Sequence, residues 1–271
     1  QRGLGDVYKR QDAYLAMREG QFDDIIDDVE KQVIWAGEAN VKTPLSIIYL
    51  HGFTASSKEI RPVPDRVAAA LGANLYFTRF TGHGRQPAAM AEATVGRWMD
   101  DVGEAIKIGN QIGETVIIMA TSTGATLAAA AALDEAAMEN IGGIIFISPN
   151  FAINSRAASL LTWPFARQWV PLVIGAEQQG IARNDLHARY WTMNYPTTAL
   201  MPMAAIVAAV DQESFDDVDI PALFYYSRQD QVVAPDKIAE FARSWGGAST
   251  TLIASLTADD DKFSHIIAGD I

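Results

Sequence analysis

Ser122 is the residue whose type and position most directly suggest chemistry, because it lies where a β-branched apolar run changes into an alanine-rich tract (TVIIMATSTGATLAAA, residues 115–130). Residues 116–118 favour a buried strand, whereas the alanines that follow Gly124 favour a helix. The chain must therefore turn sharply at Ser122. Such a turn holds the serine hydroxyl out, where it can act as a nucleophile.

The turn at Ser122 resembles the nucleophile elbow of the α/β-hydrolases, in which the residues two positions before and two positions after the nucleophile are small. Here these residues are Ala120 and Gly124, and Ala120 stands where glycine is usual. The same A-x-S-x-G pattern recurs around Ser244, but that serine ends a helix-like run, KIAEFARSWGG. An elbow needs a strand before the serine and a helix after it, so we do not expect Ser244 to be catalytic.

Two glycine-containing motifs that precede the serine extend the resemblance. The sequence HGFT at residues 51–54 follows a predicted strand and is similar to the HG-x motif of serine-type α/β-hydrolases. The resemblance implies that the backbone N–H groups of Phe53 and Thr123 form the oxyanion hole. The sequence TGHG at residues 81–84 resembles a loop of lysophospholipase and monoacylglycerol lipase relatives. The histidines of both motifs are expected to be structural, because in this fold the base follows the serine.

The same resemblance assigns the acid and the base of a catalytic triad. Asp230 follows the apolar run PALFYYS and precedes a V-V-x-P segment, which places it in the acid position. A turn or helix-capping role is the alternative for this residue. His265 lies 35 residues further on, with room for one helix and one strand between them, and is predicted to be the general base. Asp236 and His187 are the less favoured rivals.

The elements that must position these residues alternate along most of the chain. Helical patterns occupy residues 58–71, residues 91–112 and the tract after Ser122. This alternation predicts an α/β fold with a mainly parallel central sheet flanked by helices, and the resemblance implies the α/β-hydrolase fold. Ligands of such sheets bind beyond the carboxyl ends of the strands, where Ser122 lies. Strands are predicted at residues 45–51, 73–79, 115–121, 141–148 and 221–227.

Residues 150–213 interrupt the alternation and contain no clear strand pattern, so we expect a helical cap inserted between two sheet strands and covering Ser122. Aromatic and methionine side chains form an adaptable apolar surface that suits an acyl chain. Most of them are expected to pack the cap onto the core, so none is assigned as a substrate contact. They are Trp163, Phe165, Trp169, Tyr190, Trp191, Met193, Tyr195, Met201 and Met203.

The composition argues against several classes of partner and site. The formal net charge of −12 argues against nucleic-acid binding, because an acidic surface repels phosphates. No cysteine is present, which excludes disulfides and thiolate chemistry and favours a cytoplasmic location. No apolar run reaches the roughly 18 residues of a membrane span.

The aspartates at residues 259–261 are expected to form a solvated loop, since consecutive residues cannot all converge on one metal ion. The oligomeric state is not indicated.

The two ends of the chain are expected to be non-native. Residues 6–11 (DVYKRQ) look like a translated sequencing adaptor, so residues 1–11 are predicted to be an added tail and residues 12–271 a single domain. The natural N-terminus and any signal peptide would then be missing, which leaves export open. Six residues follow His265, where the resembled fold continues into a closing helix, so we expect a C-terminal truncation.

Together the motifs predict a serine hydrolase that cleaves carboxylic esters, as a carboxylesterase or monoacylglycerol lipase does, through an acyl-enzyme on Ser122. Neither a cofactor nor a metal is required. A serine aminopeptidase-like peptide hydrolase shares these motifs, and the cap would distinguish the substrates. A third alternative is a catalytically silent α/β-hydrolase that binds a small hydrophobic ligand.

Overall fold

A computed structural model describes residues 11–155, 157–257 and 260–270. Within these ranges a central sheet carries helices on both faces. Its strands and those of a small hairpin are β1 (Gln32–Ile34), β2 (Thr43–Leu50), β3 (Asn74–Phe77), β4 (Gly113–Thr121), β5 (Ile141–Ile147), β6 (Glu177–Gln179), β7 (Asn194–Pro196), β8 (Ala222–Tyr226) and β9 (Ser249–Ile253).

From β2 onward, helices lie between consecutive strands of the sheet, as the sequence predicts for a parallel sheet. None of the helices within the described ranges is long and apolar enough to cross a membrane. The α-helices are α1 (Gln11–Glu19), α2 (Val63–Leu71), α3 (Val95–Ile112), α4 (Thr123–Ala131), α5 (Ala166–Ile174), α6 (Asp185–Tyr190), α7 (Leu200–Val210) and α8 (Pro235–Ser244), and short 3₁₀ helices cover Pro87–Glu92, Ala158–Thr162 and Thr197–Ala199.

The described sheet has the strand order β1-β3-β2-β4-β5-β8-β9. Strand β1 runs antiparallel to β3, and the other neighbouring strands are parallel. The predicted mainly parallel sheet is therefore confirmed, with all five predicted strands in it. No residue range was predicted for β1 or β9, the two edge strands, although β9 lies between Asp230 and His265, where room for one strand was expected. Strand β1 has only three residues, and β9 is exposed along its whole length, so neither has the apolar run of a buried strand.

The side chains of β2 alternate between two apolar clusters, one on each face of the sheet. Ile48 and Leu50 pack on the face covered by helices α3 and α4. Ile47 and Tyr49 pack on the opposite face, where α2 lies. This period of two is what a strand buried on both faces requires.

The segment between β5 and β8, which the sequence predicts to be a helical cap and which is called the cap below, is not wholly helical. Strands β6 and β7 pair antiparallel within it, so the expectation that residues 150–213 lack strands was wrong. The hairpin has only three residues on each side, which is too short for a recognisable alternation. Helix α7 packs into the main core through Met203, Ile206 and Val210.

The cap contacts the loop of residues 51–54 in the main domain at two residues. The Thr192 N–H donates to the Thr54 carbonyl at 2.8 Å, and the Tyr195 ring packs edge-on against Phe53 at 5.3 Å. Not all the cap's aromatic side chains pack inward: Phe165 remains 78% exposed. The cap therefore lies against the loop in which the sequence predicts an oxyanion-hole donor.

The N-terminal helix α1 begins at Gln11, which the sequence placed in the non-native tail. The Gln11 N–H donates to Asn40 Oδ1 at 3.1 Å, and Leu15 is buried in the main core. Gln11 is thus packed as part of the domain. The rest of the predicted tail lies outside the described residues.

Candidate active site

The turn at Ser122 joins the end of β4 directly to the start of α4. Ser122 has φ 51° and ψ −118°. Residues other than glycine rarely adopt this backbone conformation, so the surrounding structure must enforce it. Gly124 permits the turn, because a Cβ at this position would lie 2.4 Å from the Leu50 carbonyl oxygen and 2.5 Å from that of His51. Ala120 is fully buried in the core, so its methyl group is accommodated. The predicted strand, sharp turn and helix are all present.

His265 links the serine to a buried carboxylate. Its Nε2 lies 3.1 Å from Ser122 Oγ, and its Nδ1 lies 2.7 Å from Asp230 Oδ2. Ser122, Asp230 and His265 are 7%, 4% and 6% exposed, respectively. The structure therefore brings the three residues predicted for the triad into one hydrogen-bonded chain, although 143 residues separate Ser122 from His265.

Asp230 uses its two carboxylate oxygens for two purposes. Oδ1 accepts hydrogen bonds from the backbone N–H groups of Val232 and Val233, at 2.8 and 3.0 Å. Oδ2 is left to face His265. The turn role and the imidazole-orienting position, which the sequence presents as alternatives, are thus both present in one residue.

A second aspartate, Asp261, holds the loop on which His265 lies. Its Oδ2 accepts from the N–H groups of His265 and Ile266, at 2.9 and 3.1 Å, and its Oδ1 accepts from that of Phe263 at 3.1 Å. Arg183 from the cap contacts the same carboxylate, with Nη1 3.2 Å from Oδ1. Burial raises the pKa of Asp261, but the three N–H donors and the Arg183 guanidinium outweigh burial and lower the pKa below its ordinary value.

From the sequence we expected residues 259–261 to form a solvated acidic loop. This expectation was wrong for Asp261, whose side chain is only 3% exposed. Asp260 is exposed and accepts from Thr257, as expected, while Asp259 lies outside the described residues. The spacing of Asp261 four residues before His265 is the signal that could have identified it, since a carboxylate can accept N–H groups a few residues ahead.

The two predicted oxyanion donors border the serine. Thr123 is the first residue of α4, so its N–H has no acceptor within the helix. Phe53 follows Gly52, and a Cβ added to that glycine would lie 3.1 Å from Ser122 Cβ. The loop that contains Phe53 therefore lies directly against the nucleophile.

The other histidines occupy supporting positions. His51 Nε2 accepts the Phe80 N–H at 3.1 Å, so Nδ1 carries the proton and donates to the Gly52 carbonyl at 2.9 Å. Burial lowers the pKa of His51 well below its ordinary value. Burial also lowers the pKa of His83 to about 4, and its ring packs against Phe53. His187 is in the cap, where Nδ1 accepts the N–H of Arg183 at 3.1 Å.

A buried glutamate near the serine was not identified from the sequence. Glu59 is 2% exposed, and its Oε2 accepts hydrogen bonds from the Gly52 N–H and the Tyr49 hydroxyl, both at 2.8 Å. Burial raises its pKa to about 7. Across the described part of the chain, no group of three or more histidine, aspartate or glutamate side chains is placed to hold a metal ion.

The sequence matches the model of one known family. Residues 42–255 match the model of the serine aminopeptidase family S33. The chain belongs to the S33 family. The match spans the sheet from β2 to β9, including Ser122 and Asp230, while His265 lies beyond its end.

Individual relatives of this S33 member are lipolytic enzymes. A thermostable monoacylglycerol lipase from Bacillus sp. (strain H-257) is 26% identical over 192 residues, which cover 71% of this chain and 73% of that protein. A structure from a study of the metagenome-derived lipolytic enzymes LipS and LipT has a TM-score of 0.67 at 23% identity, covering 85% of this chain and 89% of that one.

A soluble variant of the monoglyceride lipase from Saccharomyces cerevisiae, bound to a substrate analogue, has a TM-score of 0.62 at 13% identity. The similarity covers 83% of this chain and 80% of that one. The predicted α/β-hydrolase fold is confirmed. This S33 member is an α/β-hydrolase.

Proposed function

We propose that this protein hydrolyses carboxylic esters through an acyl-enzyme on Ser122. The observation that carries the proposal is the chain from Ser122 Oγ to His265 Nε2, at 3.1 Å, and from His265 Nδ1 to Asp230 Oδ2, at 2.7 Å. A hydroxyl, an imidazole and a carboxylate in this order are the parts of a serine nucleophile with its general base and the group that orients the base.

In the first step His265 Nε2 takes the proton of Ser122 Oγ while Oγ bonds to the carbonyl carbon of the ester. The carbonyl π electrons move to its oxygen, which becomes an oxyanion. The N–H groups of Phe53 and Thr123 bind this oxyanion, and because they belong to the backbone they need little reorganisation as the charge develops. Asp230 keeps the proton of Nδ1 in place and stabilises the imidazolium without accepting the proton itself.

In the second step the oxyanion re-forms the carbonyl and the bond to the leaving alkoxide breaks. His265 donates its Nε2 proton to this leaving group, so the alcohol departs and the acyl group remains on Ser122 Oγ. Water then attacks the acyl carbon with His265 again as the base. The acid is released and the serine hydroxyl is restored, with no net change in the enzyme.

The substrate class is a small-molecule ester with a hydrophobic acyl group. Two observations support it: the relatives are named as lipases, and the cap next to Phe53 presents apolar side chains such as Tyr195. The family description favours a second candidate, hydrolysis of peptides from their amino end. A carboxylate that is not otherwise engaged would favour this candidate, because it could bind the substrate's ammonium group. Asp230 and Asp261 are not of this kind, because both already hold His265 or its loop.

The test is a comparison of p-nitrophenyl esters of graded acyl length with amino-acid p-nitroanilides. We expect turnover of the esters and a fall of about four to six powers of ten in kcat for Ser122→Ala. Ser244→Ala is the matched control, because this exposed serine has the same A-x-S-x-G pattern and should retain full activity. Anilide hydrolysis without ester hydrolysis would favour the peptidase. Full ester turnover by folded Ser122→Ala would contradict the proposal.

A further inference from the structure

We propose that Glu59 is a positioning residue of the oxyanion hole and acts through Gly52, Tyr49 and Thr121. The inference rests on the proposed function, since it concerns how the oxyanion donors of that reaction are held. Glu59 lies in the turn before α2, and its carboxyl group is buried under the loop of residues 51–54. It is not part of the chain formed by Ser122, His265 and Asp230.

The first contact of Glu59 fixes the backbone N–H of Gly52. Glu59 Oε2 accepts the Gly52 N–H at 2.8 Å. On the other side of the same residue, the Gly52 carbonyl accepts from His51 Nδ1 at 2.9 Å. Gly52 is thus held at both its N–H and its C=O.

Holding the Gly52 carbonyl also aims the N–H of Phe53. The two groups belong to one planar peptide unit, and in a trans peptide they point in opposite directions. Rotation of Gly52 would therefore turn the Phe53 N–H away from the position of an oxyanion. Glu59 limits this rotation because it restrains the peptide that precedes Gly52.

The second contact connects Glu59 to the strand that carries the nucleophile. The Tyr49 hydroxyl donates to Glu59 Oε2 at 2.8 Å and lies 3.0 Å from Thr121 Oγ1. Thr121 is the last residue of β4 and immediately precedes Ser122. Glu59 Oε2 therefore connects the loop that contains Phe53 to the end of β4. Ser122 and Thr123 follow directly after that strand end.

The carboxyl group and the nucleophile pack against opposite sides of Gly52. A Cβ added to Gly52 would lie 2.6 Å from Glu59 Oε1 and 3.1 Å from Ser122 Cβ, so a larger residue here would displace the Glu59 carboxyl group or crowd the serine. Burial raises the pKa of Glu59 to about 7, which makes a charged carboxylate costly here for stability alone. Perturbed buried acids of this kind concentrate at functional sites.

The experiment compares Glu59→Leu, which removes the acceptor, with Glu59→Gln, which keeps an acceptor oxygen of similar reach. For Glu59→Leu we expect kcat on a p-nitrophenyl ester to fall about 10- to 100-fold while KM changes less than about twofold, because the oxyanion forms only after substrate binding. The affinity for a trifluoromethyl ketone, which forms an oxyanion on the serine, should fall by the same factor. Glu59→Gln should restore most of the lost turnover.

A second pair of variants makes the test independent of whether Glu59→Leu folds. Tyr49→Phe removes the hydroxyl that joins Glu59 to Thr121, and Tyr76→Phe removes a hydroxyl from an equally buried tyrosine on the neighbouring strand β3. We expect kcat and ketone affinity to fall about three- to tenfold only for Tyr49→Phe.

Two results would overturn the inference. One is unchanged kcat and ketone affinity in folded Glu59→Leu, and the other is equal behaviour of the two tyrosine variants. In both cases ester turnover by the wild-type protein would still depend on Ser122. Turnover that survives Ser122→Ala would instead reject the proposed function, so the two failures are distinguishable.

Discussion

Arg183 of the cap contacts Asp261, with Nη1 3.2 Å from Oδ1, and Asp261 in turn holds the backbone N–H of His265. A single residue, Asp261, therefore lies between a cap side chain and the backbone of the general base. The cap also contacts the other side of the site through the hydrogen bond from Thr192 to Thr54. Cap packing and the geometry of the site are thus coupled at two places.

Removing the Asp261 carboxylate should disturb the position of His265. Asp261→Ala leaves three backbone N–H groups without their acceptor, and displacement of a catalytic group by about 1 Å can cost about 100-fold in rate. We expect kcat to fall about 10- to 100-fold, measured with a p-nitrophenyl ester. Arg183→Ala should lower kcat by a smaller factor, and Arg243→Ala, at an exposed position of helix α8, is the control. Unchanged kcat in Asp261→Ala would show that the loop holds its shape without the carboxylate.

Asp230 and Asp236 are a matched pair, since both are carboxylates near the start of α8. Asp230→Asn should lower kcat by about four powers of ten, because an amide no longer orients the imidazole in the required tautomer. Asp236 is exposed in the first turn of α8, so Asp236→Asn should leave kcat unchanged and lower the free energy of unfolding by less than about 1 kcal/mol. Steady-state kinetics and urea unfolding measure both. Similar kcat values for the two variants would remove Asp230 from the mechanism.

Gly124 should not tolerate a methyl group. The Cβ of Gly124→Ala would press against the backbone oxygens of Leu50 and His51, which are fixed in the sheet and its following loop. We expect a loss of about 2 kcal/mol or more in the free energy of unfolding, together with lower activity. A Cβ added to Gly103 in helix α3 would meet no neighbouring element within 4 Å, so Gly103→Ala should stabilise the protein by up to about 1 kcal/mol. Equal effects at the two glycines would contradict the packing at the elbow.

The stability of the protein should depend on pH through Glu59. Burial raises the pKa of this carboxyl from 4.5 to about 7, so the folded state holds the proton more tightly than the unfolded state. Its contribution to stability is present in full below pH 4.5 and is lost as the pH rises through 7. Glu59→Gln is neutral throughout, so relative to the wild type it should gain about 2–3 kcal/mol between pH 5 and pH 8.5. Urea unfolding at the two pH values measures this difference. Parallel pH dependences of the two proteins would show that Glu59 does not titrate in this range.

Most of the sheet could be predicted because its buried strands are continuous apolar runs, as β4 is before Ser122. The bounds of the edge strand β9 could not be predicted from its own residues, since an exposed strand has no such run. Local sequence also indicated the elbow, which depends on Ser122 and Gly124. The supporting residues Asp261 and Glu59 were missed for a different reason. Acidic residues ordinarily lie in water, and only the folded chain shows the N–H groups that these two accept.

The most direct test of the central claim is to treat the protein with an alkyl fluorophosphonate and locate the adduct by peptide mass spectrometry. We predict one adduct per chain, on the peptide that contains Ser122, because His265 and Asp230 activate this hydroxyl alone. The adduct should be absent in Ser122→Ala and unchanged in Ser244→Ala. Labelling of another residue, or no labelling of the folded protein, would contradict the assignment of Ser122 as the nucleophile.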